Sequence, residues 1–340
     1  MDKEKLNIIA KKLVEEPKGI LAADESTGTI AKRFDQINLE SNIENRRKYR
    51  DLLFSTAQLE KYISGVILFD ETIRQDSDQN TSFVNLLKKK KIAVGIKVDL
   101  GAKTLIGSEK EKITEGLDGL SSRIENYNEL GAEFTKWRAV ITIGDNIPSK
   151  KCIYLNSIYL SSYARIVQSY GLVPIVEPEV LMDGNHDINK CLDVTSEVLQ
   201  VLFQELKKQD VYLGGILLKP NMVISGNECE SQADPETVAE LTVKCLTDNV
   251  PSEVPGIVFL SGGQSNELAT EHLNLMNKFN NLPFKLSFSY GRALQHPAIS
   301  SWLGKDSNIK LAQDALYKRS ELNSLATLGK YNLSLEENSI

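Results

Sequence analysis

Short apolar runs recur along the chain, separated by longer stretches in which apolar residues return at helical spacing. The runs are 19–24 (GILAAD), 65–70 (GVILFD), 93–99 (AVGIKVD), 134–141 (FTKWRAVI), 171–179 (GLVPIVEPE), 214–219 (GGILLK), 256–261 (GIVFLS) and 284–290 (FKLSFSY). Runs this short, rich in aliphatics and bounded by Gly, Pro or polar residues, predict buried strands. Between the fifth and sixth, Ile188, Leu192, Thr195, Leu199, Leu202 and Leu206 follow one helical face. Between the sixth and seventh, Asp234-Pro235 reads as an N-cap followed by proline at the first helical position, and Val238, Leu241 and Cys245 continue a stripe. Leu268, Leu275, Met276 and Phe279 do the same after the seventh, whereas the second to fourth intervals are noisier, with 88–91 a solvated helix end.

Strand and helix alternating eight times without a composition break predict an α/β fold: one closed (β/α)8 barrel, the TIM-barrel architecture, as a single domain over residues 1–326. A doubly wound open sheet is the alternative, but it usually has fewer strands, and no Gly-x-Gly-x-x-Gly follows the first run. The polar stretch from Gly329 onward places an expected mobile tail at 327–340.

Composition narrows the function. A net charge of −6 argues against a broad basic face for nucleic acid, so any anion site must be a local concentration of Lys and Arg. No run approaches the ~18 apolar residues of a membrane span, and the first residues lack the apolar segment of a signal peptide. A cytoplasmic protein with no membrane partner is expected. Cys152, Cys191, Cys229 and Cys245 form no Cys-x-x-Cys pair and are read as reduced thiols, although four would permit two disulfides.

The candidate chemistry centres on Lys219. Pro220 favours ending the sixth strand, which puts this lysine at its carboxyl tip. A lysine finishing an apolar strand is costly to keep charged, and the neutral amine is a nucleophile towards carbonyls. The alternative is a side chain that snorkels to water. In a barrel the chemistry lies at the carboxyl ends of the strands, and those ends carry Asp24, Lys97 and Asp99, Lys136 and Arg138, Glu177 and Glu179, and Lys219. The three charged pairs are each spaced i,i+2, so both members face one way. With helices covering the outside, that way is the barrel mouth, or else they are structural ion pairs plugging the interior. Ser261-Gly262-Gly263 and Ser289-Tyr290-Gly291-Arg292 follow the seventh and eighth strands, where phosphate sites recur in such barrels; two tight turns would be the plainer reading. Lys97 with Arg138, and Lys136 as a further candidate, lies across the barrel and suggests a second anion site and hence a substrate phosphorylated at both ends.

With these residues in place, the chain resembles the class I, Schiff-base fructose-bisphosphate aldolases. The matching segments include GILAADESTGTIAKRF, GVILFDETIRQ, KWRAV, GLVPIVEPEVLMDGNHD, LLKPNMV, FLSGGQS and LSFSYGRALQ, in the family's order over most of the chain. The resemblance implies that Lys219 condenses with the substrate ketone, that Glu177 is the general acid/base, and that Glu179 orients the lysine. It implies that Asp24 and Lys136 handle hydroxyl and charge changes during carbon–carbon cleavage. Ser261, Gly262, Gly263, Ser289, Gly291 and Arg292 would hold one phosphate, Arg33 another substrate contact, and Lys97, Arg138 and Ser26 the opposite phosphate. Lys136 near Lys219 would favour the neutral amine by like-charge repulsion, and Glu177 is expected to have its pKa raised towards neutrality. The resemblance further implies glycolytic and gluconeogenic use, a homotetramer and no cofactor. The family's animal members carry a tyrosine on a flexible tail; here the last tyrosine is Tyr331.

Three rivals remain. A metal-dependent aldolase would want histidines at strand ends, whereas His186, His272 and His296 are scattered. A phosphosugar isomerase or one-phosphate lysine aldolase would leave the second cationic cluster unexplained. A non-catalytic scaffold binding protein partners would not need Asp24, Lys136, Glu177 and Lys219 together.

Overall fold

The computed structural model describes residues 1–337. Eight strands form the frame: β1 (Gly19–Ala22), β2 (Ile63–Leu68), β3 (Ala93–Lys97), β4 (Phe134–Ile141), β5 (Val173–Val180), β6 (Leu217–Leu218), β7 (Gly256–Phe259) and β8 (Lys285–Tyr290). Each is parallel to its neighbours, and β8 closes on β1 through Ile20–Ser289 and Leu21–Tyr290, giving the expected closed barrel. Parallel strands buried on both faces need continuous apolar runs, which is why those runs were legible as strands.

The interior is packed, not hollow. Phe134 is fully buried, and a Cβ at Gly95, its register partner on β3, would lie 2.3 Å from the Phe134 ring. Glycine there gives the ring its space. Helix α1 (Lys3–Leu13) caps the amino end: Leu6, Ile9, Ala10 and Leu13 join Ile20, Ile67, Phe134, Ile175 and Leu217 in one apolar cluster. With that end sealed, the barrel interior among the described residues opens at the carboxyl end of the strands.

The outer helices follow the expected stripes in part. The helix Ile188–Lys208 buries Ile188, Thr195, Leu199, Leu202 and Leu206, and Asp234 caps the helix Pro235–Asn249 through Thr237 N. Phe279, expected on the next stripe, lies past the helix Asn266–Met276 and is 42% exposed. The sixth run also differs. Gly214 and Gly215 form a 3-10 turn, Leu213–Gly215, in which Gly214 O accepts from Asn7 Nδ2 (2.7 Å) and Gly215 O from Gln168 Nε2 (3.1 Å). Glycine costs most to hold extended, so these tertiary bonds win. An antiparallel hairpin of Ala102–Thr104 and Lys112–Thr114 follows β3, and it has no apolar alternation that would have announced it.

Within the segment expected as a mobile tail, Tyr331 and Glu336 contact the body, while 332–334 and Glu337 are exposed. Tyr331 is buried, its N–H donates to Asn274 Oδ1 (2.9 Å) and its hydroxyl to Glu336 Oε1 (2.8 Å), and Arg319 pairs with Glu336. Residues 338–340 lie outside the described residues. All four cysteines are free thiols. Among the described residues no helix is long and apolar enough to cross a membrane.

Candidate active site

At the carboxyl end of the strands a cavity of about 570 Å³ is lined by every expected site residue except Gly263. A larger cleft of about 1320 Å³ lies towards the amino end, against α1, but its Lys285–Glu16 pair is solvent-exposed. The converging buried charges are all at the carboxyl end.

Strand register explains how they converge. Lys97 pairs with Lys136 across β3 and β4, and Arg138 with Glu177 across β4 and β5. Lys219 follows the last residue of β6, its N–H donating to Val176 O of β5 at 2.8 Å. Glu177 therefore reaches both lysines: Oε1 lies 3.2 Å from Lys219 Nζ and Oε2 3.2 Å from Lys136 Nζ. Lys136 Nζ also lies 2.7 Å from Asp24 Oδ2. Lys219, Glu177 and Lys136 are each less than 5% exposed. A continuous line of alternating charge, Asp24–Lys136–Glu177–Lys219, thus crosses the mouth of the barrel, and the ends of the line are a carboxylate and an amine.

The electrostatics follow from this alternation. Burial alone would push the Asp24 carboxyl up, but Lys136, with Lys219 and Lys97 behind it, brings it down to about 2. Burial would likewise depress Lys136, yet Asp24, Glu177 and Asp99 hold it above the ordinary lysine range. Glu177 corrects an expectation. Burial favours its protonated form, but Lys136, Lys219 and Arg138 together hold it below the usual carboxylate range rather than near neutrality.

Because the folded pKa of Asp24 is depressed, its contribution is fully present above the unfolded value near 3.8 and is lost as pH falls through about 2. Asp24→Asn is therefore expected to cost stability at neutral pH, by about 2 kcal/mol from the shift alone. Urea unfolding should show the gap between parent and variant closing between about pH 5 and about pH 2.

The flanks of the cavity are not alike. Lys97 Nζ lies 2.5 Å from Asp99 Oδ1, and Arg138 pairs with Glu179, so both cations of the expected second anion site already have carboxylate partners. Glu179 thus serves Arg138 and makes no ion pair with Lys219, against the orienting role expected of it. Ser26 caps helix α2 (Thr27–Asp35) beside them, accepting from Thr29 N. On the opposite side Arg292 donates to Gly262 O and Gln264 O, and among the described residues no carboxylate lies within ion-pair distance of it. Burial, with Arg33 nearby, lowers its pKa. The Ser289 hydroxyl is buried with no hydrogen-bond partner. An unneutralised guanidinium and an orphaned hydroxyl in one wall suit an incoming anion. Gly263 falls away from this wall: its N–H donates to Met182 Sδ at 2.8 Å, and a Cβ would lie 2.4 Å from the same sulfur.

A network below the wall was not anticipated. Glu25 is 9% exposed and holds Arg33 (2.5 Å) and Arg50 (2.8 Å), the latter from helix α3 (Ile43–Ser55), while Gln295 Nε2 donates to it at 2.8 Å. Its only sequence signal was adjacency to Asp24. Of the histidines, His272 bonds Gln264 Oε1 through Nδ1 (2.6 Å) and is pushed by burial down to about 4.

The sequence model for class-I fructose-bisphosphate aldolase, described as glycolytic, matches residues 5–340. The chain belongs to the class-I fructose-bisphosphate aldolase family. It is 54% identical to a Xanthomonas axonopodis pv. citri protein named "Probable fructose-bisphosphate aldolase class 1", covering 97% of this chain and 99% of that one. It is 53% identical to "Fructose-bisphosphate aldolase 6, cytosolic" of Arabidopsis thaliana, covering 92% and 88%. Among solved structures, a Plasmodium falciparum fructose-bisphosphate aldolase, in complex with TRAP and a small-molecule inhibitor, superposes with a TM-score of 0.95 at 50% identity, covering 97% and 96%. The family's lyase chemistry is the frame in which the four-residue charge line must be understood.

Proposed function

We propose that the protein cleaves fructose 1,6-bisphosphate reversibly to dihydroxyacetone phosphate and glyceraldehyde 3-phosphate through a Schiff base on Lys219. The observation that carries this reading is the buried contact of Lys219 with Glu177 inside a cavity whose far wall offers Arg292 and Ser289. Lys219 becomes nucleophilic by handing its proton to Glu177. The two substrate phosphates bring negative charge against the local field, which raises the proton affinity of Glu177 when it must accept that proton. The amine attacks the ketone, Glu177 returns a proton to the departing hydroxyl, and the protonated imine then accepts the electron pair released when the bond between the third and fourth carbons breaks. Asp24 takes the proton of the hydroxyl at the cleaved carbon, and Lys136 compensates the charge that moves. The iminium is the electron sink, so no cofactor is called for, and activity in chelator should be undiminished.

Arg292, Ser261, Gly262, Ser289 and Gly291 are assigned to one phosphate, with Arg33 beside them; Lys97, Arg138 and Ser26 are assigned to the other. Residues 1–326 are taken as one catalytic domain. A glycolytic and gluconeogenic role, a cytoplasmic location and a homotetramer are part of this proposal; the family description and the name of the cytosolic Arabidopsis thaliana relative support the glycolytic role and the location.

The test is the cleavage rate on the bisphosphate compared with fructose 1-phosphate. Loss of a charged hydrogen bond to phosphate is worth about 1.5–3 kcal/mol, so Arg292→Gln is expected to raise KM about tenfold to a hundredfold. Lys97→Met, which removes a cation already paired with Asp99, should raise it less and only for the bisphosphate. Equal rates on both substrates, with Lys97→Met silent, would instead support a one-phosphate substrate.

A further inference from the structure

The tip of β6 that delivers Lys219 is joined to β5 by a side chain one donor past a missing backbone rung. Backbone pairing between the two strands covers Ile175–Leu217 and Val176–Leu218, and ends with Lys219 N donating to Val176 O. In a parallel ladder alternate residues face the same neighbour, so Val176, Pro178 and Val180 face β6. Pro178 has no N–H to give. The next donor, Val180 N–H, finds the Asn221 Oδ1 at 3.0 Å, and Asn221 Nδ2 donates to Thr195 Oγ1 at 3.1 Å and to Met222 O at 3.0 Å. Asn221 is 5% exposed and Thr195 2%, and neither lines the cavity. Both sides of the join carry the chemistry, Glu177 and Glu179 on β5 and Lys219 two residues before Asn221.

We propose that Asn221 is a positioning residue for the reaction: past the rung that Pro178 cannot supply, its side-chain oxygen takes the next β5 donor, Val180 N–H, and so fixes the spacing between Lys219 and Glu177. The proposal rests on the Schiff-base reading of those two residues. A buried amide with its acceptor and both donor directions engaged cannot shift without breaking a bond, whereas an apolar side chain of the same size would let the tip drift. Displacements of an ångström at reacting groups cost up to about a hundredfold in rate.

The test compares kcat, KM and the rate of borohydride-trapped adduct formation with dihydroxyacetone phosphate, per folded subunit, in Asn221→Leu, Thr195→Val, Thr195→Ser and the parent. Asn221→Leu should lower kcat and the trapping rate by about tenfold or more with KM within about threefold, because the phosphates are held by other strands. Thr195→Val, which leaves the bond to Val180 in place, should lower kcat about threefold, and Thr195→Ser, which restores the hydroxyl, should match the parent. Rates in Thr195→Val and, where it folds, Asn221→Leu that equal the parent's would overturn the proposal, as would a rise in KM at unchanged kcat. A parent that forms no adduct on Lys219 would defeat the Schiff-base reading instead, so the two failures are distinguishable.

Discussion

Replacing Lys219 by methionine is expected to abolish cleavage, kcat falling by at least about 10⁴-fold, with the fold intact. The chemical part is direct: without the amine there is no imine, and no electron sink remains for the carbanion. The structural part follows from who else touches Glu177. Its other oxygen lies 3.2 Å from Lys136 Nζ, so removing Lys219 does not leave a buried carboxylate unpaired. A thioether of similar length fills the same buried space, and volume-conserving replacements usually cost less than about 1.5 kcal/mol. Thermal unfolding close to that of the parent, together with absent activity, is the expected pair of results. Residual turnover above about one per cent of the parent would mean that another group carries the covalent step.

Glu177→Gln has the second-largest expected effect. The amide keeps the shape but can neither accept the Lys219 proton nor return one to the departing hydroxyl, and kcat should fall about 10²- to 10⁴-fold with KM little changed. The parent's pH profile carries a further expectation. Lys136, Lys219 and Arg138 overcome the effect of burial and hold this carboxyl below its ordinary range. The base is thus ionised through the ordinary carboxylate range, and kcat/KM, which reports the free enzyme, should hold as pH falls from neutrality until below that range. An acid limb near neutrality that disappears in Glu177→Gln would show the opposite shift.

Much of this is legible in the sequence. The eight strands read clearly because a parallel barrel buries both faces, and β4 matches its run residue for residue. Asp24 and Lys219 are legible as charges at strand tips, and Lys136 and Glu177 also by their period-two partners Arg138 and Glu179, because such charges have one place to go in a helix-covered barrel. Other features carry no local mark. Glu25 meets Arg50 and Gln295 across 25 and 270 residues, and no spacing rule spans such distances. Nothing in the local pattern of helix α1 marks it as the element whose Leu6, Ile9, Ala10 and Leu13 seal the barrel. Whether Lys97 and Arg138 are free or already paired with Asp99 and Glu179 depends on side-chain reach, and a pattern of charges alone cannot tell. The pKa of Glu177 failed for the same reason: burial was foreseeable, but the sum of three cations around one carboxylate was not.

The most direct measurement is reduction of the intact protein with borohydride in the presence of dihydroxyacetone phosphate, followed by peptide mapping. The adduct should sit on Lys219, in the peptide containing Leu217, Leu218 and Pro220, and should be absent from Lys219→Met. Labelling of Lys136 or any other lysine, or no adduct at all from an active parent enzyme, would contradict the account.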